Sequence, residues 1–190
     1  MNKIITHKLL IFILIILLAI LIAGTYGIIH DQITFSISEE YYTKFKFIQF
    51  GLDNWGLGDN IGTLEEPEMR IYDTPFAVGI VGFMATWWMG LFFGIVLGLV
   101  NFFQKSARNM FFTSIKAVFL IVIVTIVFGF LGYVYANLFL VNTAPNWHFP
   151  NNLIDKTNYI RVGSMHNFAY LGGVLGLLLA IRFSLRNRNL

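Results

Sequence analysis

Four long apolar stretches, separated by polar segments, dominate the pattern along the chain. They cover residues 9–29, 75–103, 110–141 and 165–183. A helix needs about 20 apolar residues to cross the hydrocarbon core of a bilayer, and each stretch is close to or above that length. We therefore predict an all-α membrane protein, residues 1–190 forming a single membrane domain whose four transmembrane helices pack as a bundle.

The composition agrees with this prediction. Of the 190 residues, 57% are hydrophobic and only 12% are charged, whereas a soluble domain carries about 25% charged residues. The chain has no cysteine, which excludes disulfides, thiolate metal ligands and cysteine nucleophiles. The first stretch follows a basic start and is longer than the apolar core of a cleaved signal peptide, so we interpret it as an uncleaved signal anchor.

Charge placement predicts how the chain threads the membrane. Nine acidic residues lie between the first and second stretches, and Asp155 lies between the third and fourth. The basic residues near both termini and in the 104–109 loop face the other way, which by the positive-inside rule makes that side cytoplasmic. The outer loops are then residues 30–74 and 142–164. The small net charge of +3 reflects this topology and gives no reason to expect nucleic-acid binding. The lipid bilayer is the expected partner.

Small residues recur at every fourth position in the second and fourth stretches. Because hydrophobicity does not drive helices together in lipid, such residues allow close backbone approach. We predict tight packing within the chain, and a homo-oligomer interface on the second-helix ridge is the alternative. A pore lining is disfavoured, since the predicted spans contain no acidic residue. The glycines concerned are Gly82, Gly90, Gly94, Gly98, Gly172 and Gly176.

The first outer loop is predicted to form an ordered extracytoplasmic cap. Residues 33–37 alternate like a short strand. Ser38 then resembles an N-cap, and the apolar stripe of Tyr41, Phe45, Ile48 and Leu52 predicts an amphipathic helix that ends near Gly51. The caps of the second, third and fourth transmembrane helices are predicted at Thr74, Asn109 and Ser164.

Four polar residues near the predicted outer ends of the helices are candidates for a site. They are His30, Asp31, Glu40 and His166, the last in the predicted first turn of the fourth helix. Two imidazoles and one or two carboxylates can bind a divalent metal such as zinc or iron. The alternatives are that these groups fasten the outer loop to the bundle, or that they line a ligand pocket. Core packing or a hydrophobic pocket is the expected role of four aromatic residues: Trp87, Trp88, Tyr41 and Tyr170.

Three short segments carry a resemblance. Residues 30–34 read HDQIT, residues 40–43 read EYYT and residues 85–90 read ATWWMG. The chain resembles a family of small four-span bacterial integral membrane proteins with the segments H-D-Q-x-T, E-Y-[FY]-T and A-T-W-W-x-G, and His166 with Tyr170 matches a His–Tyr pair near the family's last span. This chain departs from the family in its longer acidic loop and at Tyr42. The resemblance implies placement in the bacterial cytoplasmic membrane and supplies no activity.

Three classes of function stay open from the sequence. The sequence favours the first, a structural or accessory membrane protein that binds a protein partner through its outer loops. The second is a metal-binding membrane enzyme or metal carrier that uses the outer histidines and carboxylates. The third, a small transporter, is disfavoured by the apolar spans. Whether the protein is an enzyme at all is therefore not decided by its sequence.

Overall fold

The computed structural model describes residues 3–143 and 145–189. Four of its helices are long and apolar enough to cross a membrane, which confirms the predicted fold class. In chain order they are α1 (Lys3–Ile37), α3 (Thr74–Asn101), α4 (Ala107–Tyr135) and α5 (Lys156–Arg186). Between α1 and α3 lie a π-helical turn (Tyr42–Lys46), α2 (Phe47–Gln49), β1 (Gly58–Asn60) and β2 (Met69–Ile71). A π-helical segment (Ala136–Leu140) extends α4, and a 3₁₀ turn (Asn187–Asn189) follows α5.

The helix α1 is longer than predicted. It continues to Ile37, so the prediction of a strand over residues 33–37 is wrong. The polar residues after position 29 do not end the helix because they find partners inside the protein. The Thr34 hydroxyl, for example, lies 2.6 Å from the Tyr42 hydroxyl, and both side chains are fully buried. Asp31 consequently lies within a helix, which contradicts the expectation that the spans contain no acidic residue.

The start of each later helix also differs from the prediction by one or more residues. The α5 helix begins at Lys156, well before the predicted residue 165. In each case a side-chain oxygen of the preceding residue accepts a hydrogen bond from a backbone N–H in the first turn. The predicted caps Thr74, Asn109 and Ser164 are therefore wrong, and the observed caps are Asp73, Ser106 and Asp155.

The cap over the outer end of the bundle is ordered and partly as predicted. The Tyr41 N–H donates to the Ser38 hydroxyl, and Gly51 ends the segment with a φ of 62°. Between them, however, the chain forms a π-helical turn that closes with a bond from the Phe47 N–H to the Tyr42 carbonyl. The wider turn changes which residues face inward. Phe45 of the predicted stripe is 39% exposed, whereas Lys46 is buried. The cap is completed by the antiparallel pair β1–β2.

The glycine ridges pack α1 against α3 and α4 against α5. A Cβ atom on Gly90 would lie 2.5 Å from the Ala19 carbonyl oxygen, and one on Gly94 would lie 2.8 Å from the Ile16 Cα. Every glycine of the two predicted ridges meets a neighbouring helix in this way: Gly82 meets Gly27, Gly98 meets Phe12, Gly172 meets Thr125 and Phe128, and Gly176 meets Ile121. In the structure the second-helix ridge thus faces another helix of the same chain.

Hydrogen bonds at the end opposite the cap fix the direction of the helices. The Lys8 ammonium donates to the backbone carbonyls of Phe102 and Gln104 at 3.0 and 2.7 Å. The Gln104 amide in turn donates to the carbonyl of Ser184 near the end of α5. The first turns of α1, the α3–α4 connection and the end of α5 therefore lie together at one end of the bundle, and the cap covers the other.

Candidate metal site

Two histidines and one aspartate meet where the cap joins the bundle. His30 and Asp31 lie on the outer part of α1, and His166 lies on α5. The Nδ1 atom of His30 and the Nε2 atom of His166 are 3.2 and 3.3 Å from the same oxygen, Asp31 Oδ1. The two imidazole rings stand edge to face with their centres 4.8 Å apart. Of the four residues proposed from the sequence, the structure brings these three together.

The cluster is shielded from water. Asp31 is 2% exposed and His166 is 5% exposed. The Tyr41 ring stacks on the His166 imidazole with a centroid distance of 5.1 Å, so the cap covers the site directly. The prediction that His166 lies in the first turn of its helix is wrong. The α5 helix begins at Lys156, so the histidine lies about three turns inside it. The positive end of the helix dipole does not reach it.

The hydrogen bonds of His166 restrict its protonation. Its Nδ1 atom is 2.9 Å from the backbone oxygen of Val162. Because a carbonyl oxygen can only accept, Nδ1 carries the hydrogen, and in a neutral imidazole the lone pair is then on Nε2. That lone pair faces the Asp31 carboxylate, which is also an acceptor. Two acceptors at 3.3 Å require a proton or a cation between them.

The three ligand atoms have a spacing suited to a metal ion. One atom from each of His30, Asp31 and His166 lies within 4.8 Å of the other two. In a tetrahedral zinc site, metal–ligand distances of about 2.0–2.2 Å place neighbouring ligand atoms about 3.3–3.6 Å apart. The observed separations from Asp31 Oδ1 are 3.2 Å, just below that range, and 3.3 Å, at its short end. An Nδ1–H bonded to a backbone carbonyl, as in His166, is also the usual orientation of a metal-ligating imidazole.

Lys46 belongs to the cluster although the sequence analysis did not select it. Its Nζ atom is 3.7 Å from Asp31 Oδ2, and its side chain is only 4% exposed. Burial lowers the pKa of the Lys46 ammonium, and the nearby Asp31 opposes that shift. A regular α-helix over this segment would place Lys46 on the outer face of the cap, so the residue pattern does not indicate its burial. The π-helical turn moves Lys46 to the inner face of the cap.

Glu40 is not part of the cluster, so its prediction as a fourth ligand is wrong. Its carboxylate accepts from the backbone N–H groups of Ile154 and Asp155 and pairs with the Lys44 ammonium at 2.9 Å. Burial opposes ionisation, but these hydrogen bonds outweigh it and lower the pKa of Glu40. Because Lys44 also donates to the Asn152 carbonyl, this pair fastens the second outer loop to the first. Glu40 therefore has the fastening role that the sequence analysis named as the alternative.

A small cavity extends from the cluster into the bundle. It has a volume of about 60 Å³, and its polar end is formed by His30, Asp31, Lys46 and His166. Below them the walls are made of small and apolar side chains from all four long helices. Of the aromatic residues predicted for a pocket, Tyr170 lines this cavity. Tyr41, Trp88 and Tyr170 line a second pocket beside His166, where Trp88 is 51% exposed. Trp87 is partly buried and lines neither pocket.

Comparisons with protein-family models, with curated proteins and with solved structures found no match to this chain.

Proposed function

We propose that this protein is a multi-pass protein of the bacterial cytoplasmic membrane that binds one divalent metal ion at His30, Asp31 and His166. The observation that carries the proposal is the convergence of one ring nitrogen from His30 and one from His166 on the same buried Asp31 oxygen, at 3.2 and 3.3 Å. A metal ion held by these three atoms neutralises the buried carboxylate. The cavity beneath the cluster leaves room for a further ligand on the metal.

The donor set favours zinc or iron. Two histidines and one carboxylate form the catalytic zinc sites of several hydrolases and the facial triad of non-haem iron proteins. Structural zinc sites instead use four protein ligands. A site with three protein ligands and an adjacent cavity fits a metal-dependent membrane enzyme or a metal carrier better than a purely structural ion.

Charge supports the proposed orientation. Lysines and arginines lie at the end of the bundle opposite the cap, which holds the first turns of α1, the α3–α4 connection and the end of α5. Nine of the ten acidic residues lie on the cap or its connections, and Asp31 lies just beneath the cap. Under the positive-inside rule the capped end is extracytoplasmic and both termini are cytoplasmic. The resemblance to the four-span bacterial family supports the same placement, so we infer that the metal reaches the site from the extracytoplasmic side.

Metal analysis of the purified full-length protein tests the proposal. The wild type, loaded with zinc or ferrous iron and then desalted, should retain about one equivalent per chain. His166→Ala should lose that equivalent, because it removes one of the three ligands. Glu40→Gln is the matched control: it changes an outer carboxylate that the structure places outside the cluster, and it should retain the metal. Equal residual metal in all three proteins would contradict the proposal.

A second candidate function is favoured by the surface of the cap. On the cap and its connections, Leu64 is 99% exposed and Ile154 is 89% exposed. Such side chains suit insertion into the lipid headgroup layer or contact with a membrane protein partner. An accessory role through the cap would be supported by a metal-free protein that co-purifies with another subunit, and it would lose support if the purified chain is alone and metal-loaded.

A further inference from the structure

The side of the bundle between α1 and α4 contains a groove that opens toward the lipid. Its volume is about 570 Å³, within the range of pockets that bind small molecules. Large apolar side chains form its rim, and several are more than half exposed on the outer surface of the bundle: Leu21, Ile29, Phe119, Ile126 and Phe130. The groove is therefore reached from the membrane rather than from water.

The closed end of the groove is polar. Tyr26 and His30 line both the groove and the cavity beneath the metal cluster. Their ring centroids are 5.5 Å apart. The Tyr26 hydroxyl and the His30 Nε2 atom are buried and have no hydrogen-bond partner among the residues that the structure describes. A buried polar atom without a partner costs about 1–3 kcal/mol, so two of them at the base of one groove point to a ligand that satisfies both.

The chemistry of these atoms defines the ligand. A tyrosine hydroxyl donates a hydrogen bond. If the proposed metal is bound by His30 Nδ1, the hydrogen of that imidazole is on Nε2, which is then a second donor. None of the groove-lining side chains is charged, so the ligand's polar end is neutral. Two donors in an apolar groove without charges match a carbonyl oxygen on a long apolar chain.

We propose that the groove between α1 and α4 binds a membrane-soluble molecule with a neutral carbonyl group, which enters laterally from the lipid and accepts hydrogen bonds from Tyr26 and His30. The carbonyl then lies beside the metal cluster. The donor role of His30 rests on the proposed metal site, because metal binding at Nδ1 places the hydrogen on Nε2. The donor role of Tyr26 does not depend on the metal. Quinones and the acyl esters of lipids share the required chemistry.

Photolabelling of the full-length protein in nanodiscs tests the proposal. Two probes carry the same alkyl diazirine chain; one ends in a methyl ester and the other is a plain hydrocarbon. The ester probe should label peptides of α1 and α4 at the groove more strongly than the hydrocarbon does. Competition with a short-chain quinone and with a short-chain phospholipid then distinguishes the two sources of the carbonyl, the effective competitor being the preferred source.

Two variants connect the labelling to the groove. Tyr26→Phe removes only the hydroxyl, and it should weaken ester binding about three- to tenfold, as expected for one lost hydrogen bond. Gly129→Ala should narrow the groove beside His30 without disturbing the helices, because its Cβ would lie 3.9 Å from His30 Nε2 and no closer than 3.8 Å to any neighbour. Val127→Leu is the control, since Val127 is 50% exposed on α4 and does not line the groove.

Equal labelling by the ester and the hydrocarbon, unchanged by Tyr26→Phe and Gly129→Ala, would overturn the inference and leave a groove filled by ordinary lipid chains. Metal analysis of the same samples shows separately whether the chain binds metal, so a failure of the groove proposal can be distinguished from a failure of the metal proposal. Tyr26→Phe keeps all three proposed ligands and should keep the metal. Tyr26-dependent labelling of a protein that never binds metal would overturn the metal proposal alone.

Discussion

Replacing Lys46 with methionine tests whether a metal or a lysine neutralises the buried Asp31 carboxylate. Methionine keeps the approximate length of the side chain and removes the ammonium. The two charges are 3.7 Å apart, which corresponds to an attraction of about 4.5 kcal/mol at an effective dielectric constant of 20. Removing one member of a buried ion pair typically costs about 3–5 kcal/mol, because the other charge stays buried alone.

We expect that loss only in the metal-free protein. In EDTA, Lys46→Met should lower the free energy of unfolding by about 3–5 kcal/mol, measured by titration with a denaturing detergent. With saturating zinc the loss should fall below about 2 kcal/mol, since a divalent ion then neutralises Asp31. Stability and binding are linked, so this difference of at least about 1 kcal/mol requires Lys46→Met to bind zinc at least about fivefold more tightly than the wild type.

Lys44→Met provides the matched control. Lys44 is also a buried lysine of the π-helical turn, but it pairs with Glu40 and Glu68 instead of Asp31. Its loss should destabilise the protein equally with and without zinc. If Lys46→Met also costs the same under both conditions, the ammonium remains the partner of Asp31 throughout and the reasoning for a metal at this site is refuted.

Two further predictions concern packing and topology. Gly94→Ala should destabilise the bundle by about 1–3 kcal/mol in the same detergent titration, because its Cβ would lie 2.8 Å from the Ile16 Cα. Gly79→Ala on the same helix is the control and should be neutral, because its Cβ would lie 3.8 Å from its nearest neighbour. Equal effects of the two changes would mean that the ridge is not tightly packed. Since the chain has no cysteine, single cysteines report sidedness directly. In intact cells, Asn60→Cys in the cap should react with an impermeant thiol reagent, and Phe103→Cys in the α3–α4 connection should react only after permeabilisation. The reverse pattern would contradict the proposed orientation.

The transmembrane helices could be predicted from the sequence because their cause is local. A chain segment in lipid must satisfy its backbone hydrogen bonds within itself, so a sufficiently long apolar stretch forms a helix. The helix ends depend on partners that lie elsewhere in the chain. The polar segment after Ile29 resembled a loop, but Thr34 bonds to Tyr42. Likewise Arg161, in the polar first part of α5, donates to Asn137 of the π-helical segment after α4. Such pairings extend α1 and α5 beyond their apolar cores.

The candidate site was predictable to a similar degree. His30, Asp31 and His166 could be proposed together because the predicted threading of the chain places all three near the same end of the bundle. Glu40 was assigned wrongly because sequence spacing does not show that its carboxylate caps the backbone of Ile154. Lys46 was missed because the π-helical turn departs from the α-helical period on which the pattern analysis depends. Both errors arose in the cap, where contacts distant in sequence decide the structure.

Three features that each weaken a helical bundle coincide at one place in this protein. An aspartate lies buried within a span, two polar atoms beside it have no partner among the described residues, and a cavity of about 60 Å³ adjoins them. By the scale for engineered cavities, about 24 cal/mol per Å³, that volume alone corresponds to about 1.4 kcal/mol. Elsewhere in the bundle the same chain packs glycine against backbone so closely that a methyl group would not fit. A buried carboxylate, two polar atoms without a partner and a cavity that meet around His30, Asp31 and Tyr26 are the arrangement expected when a bound ion and ligand supply the missing interactions.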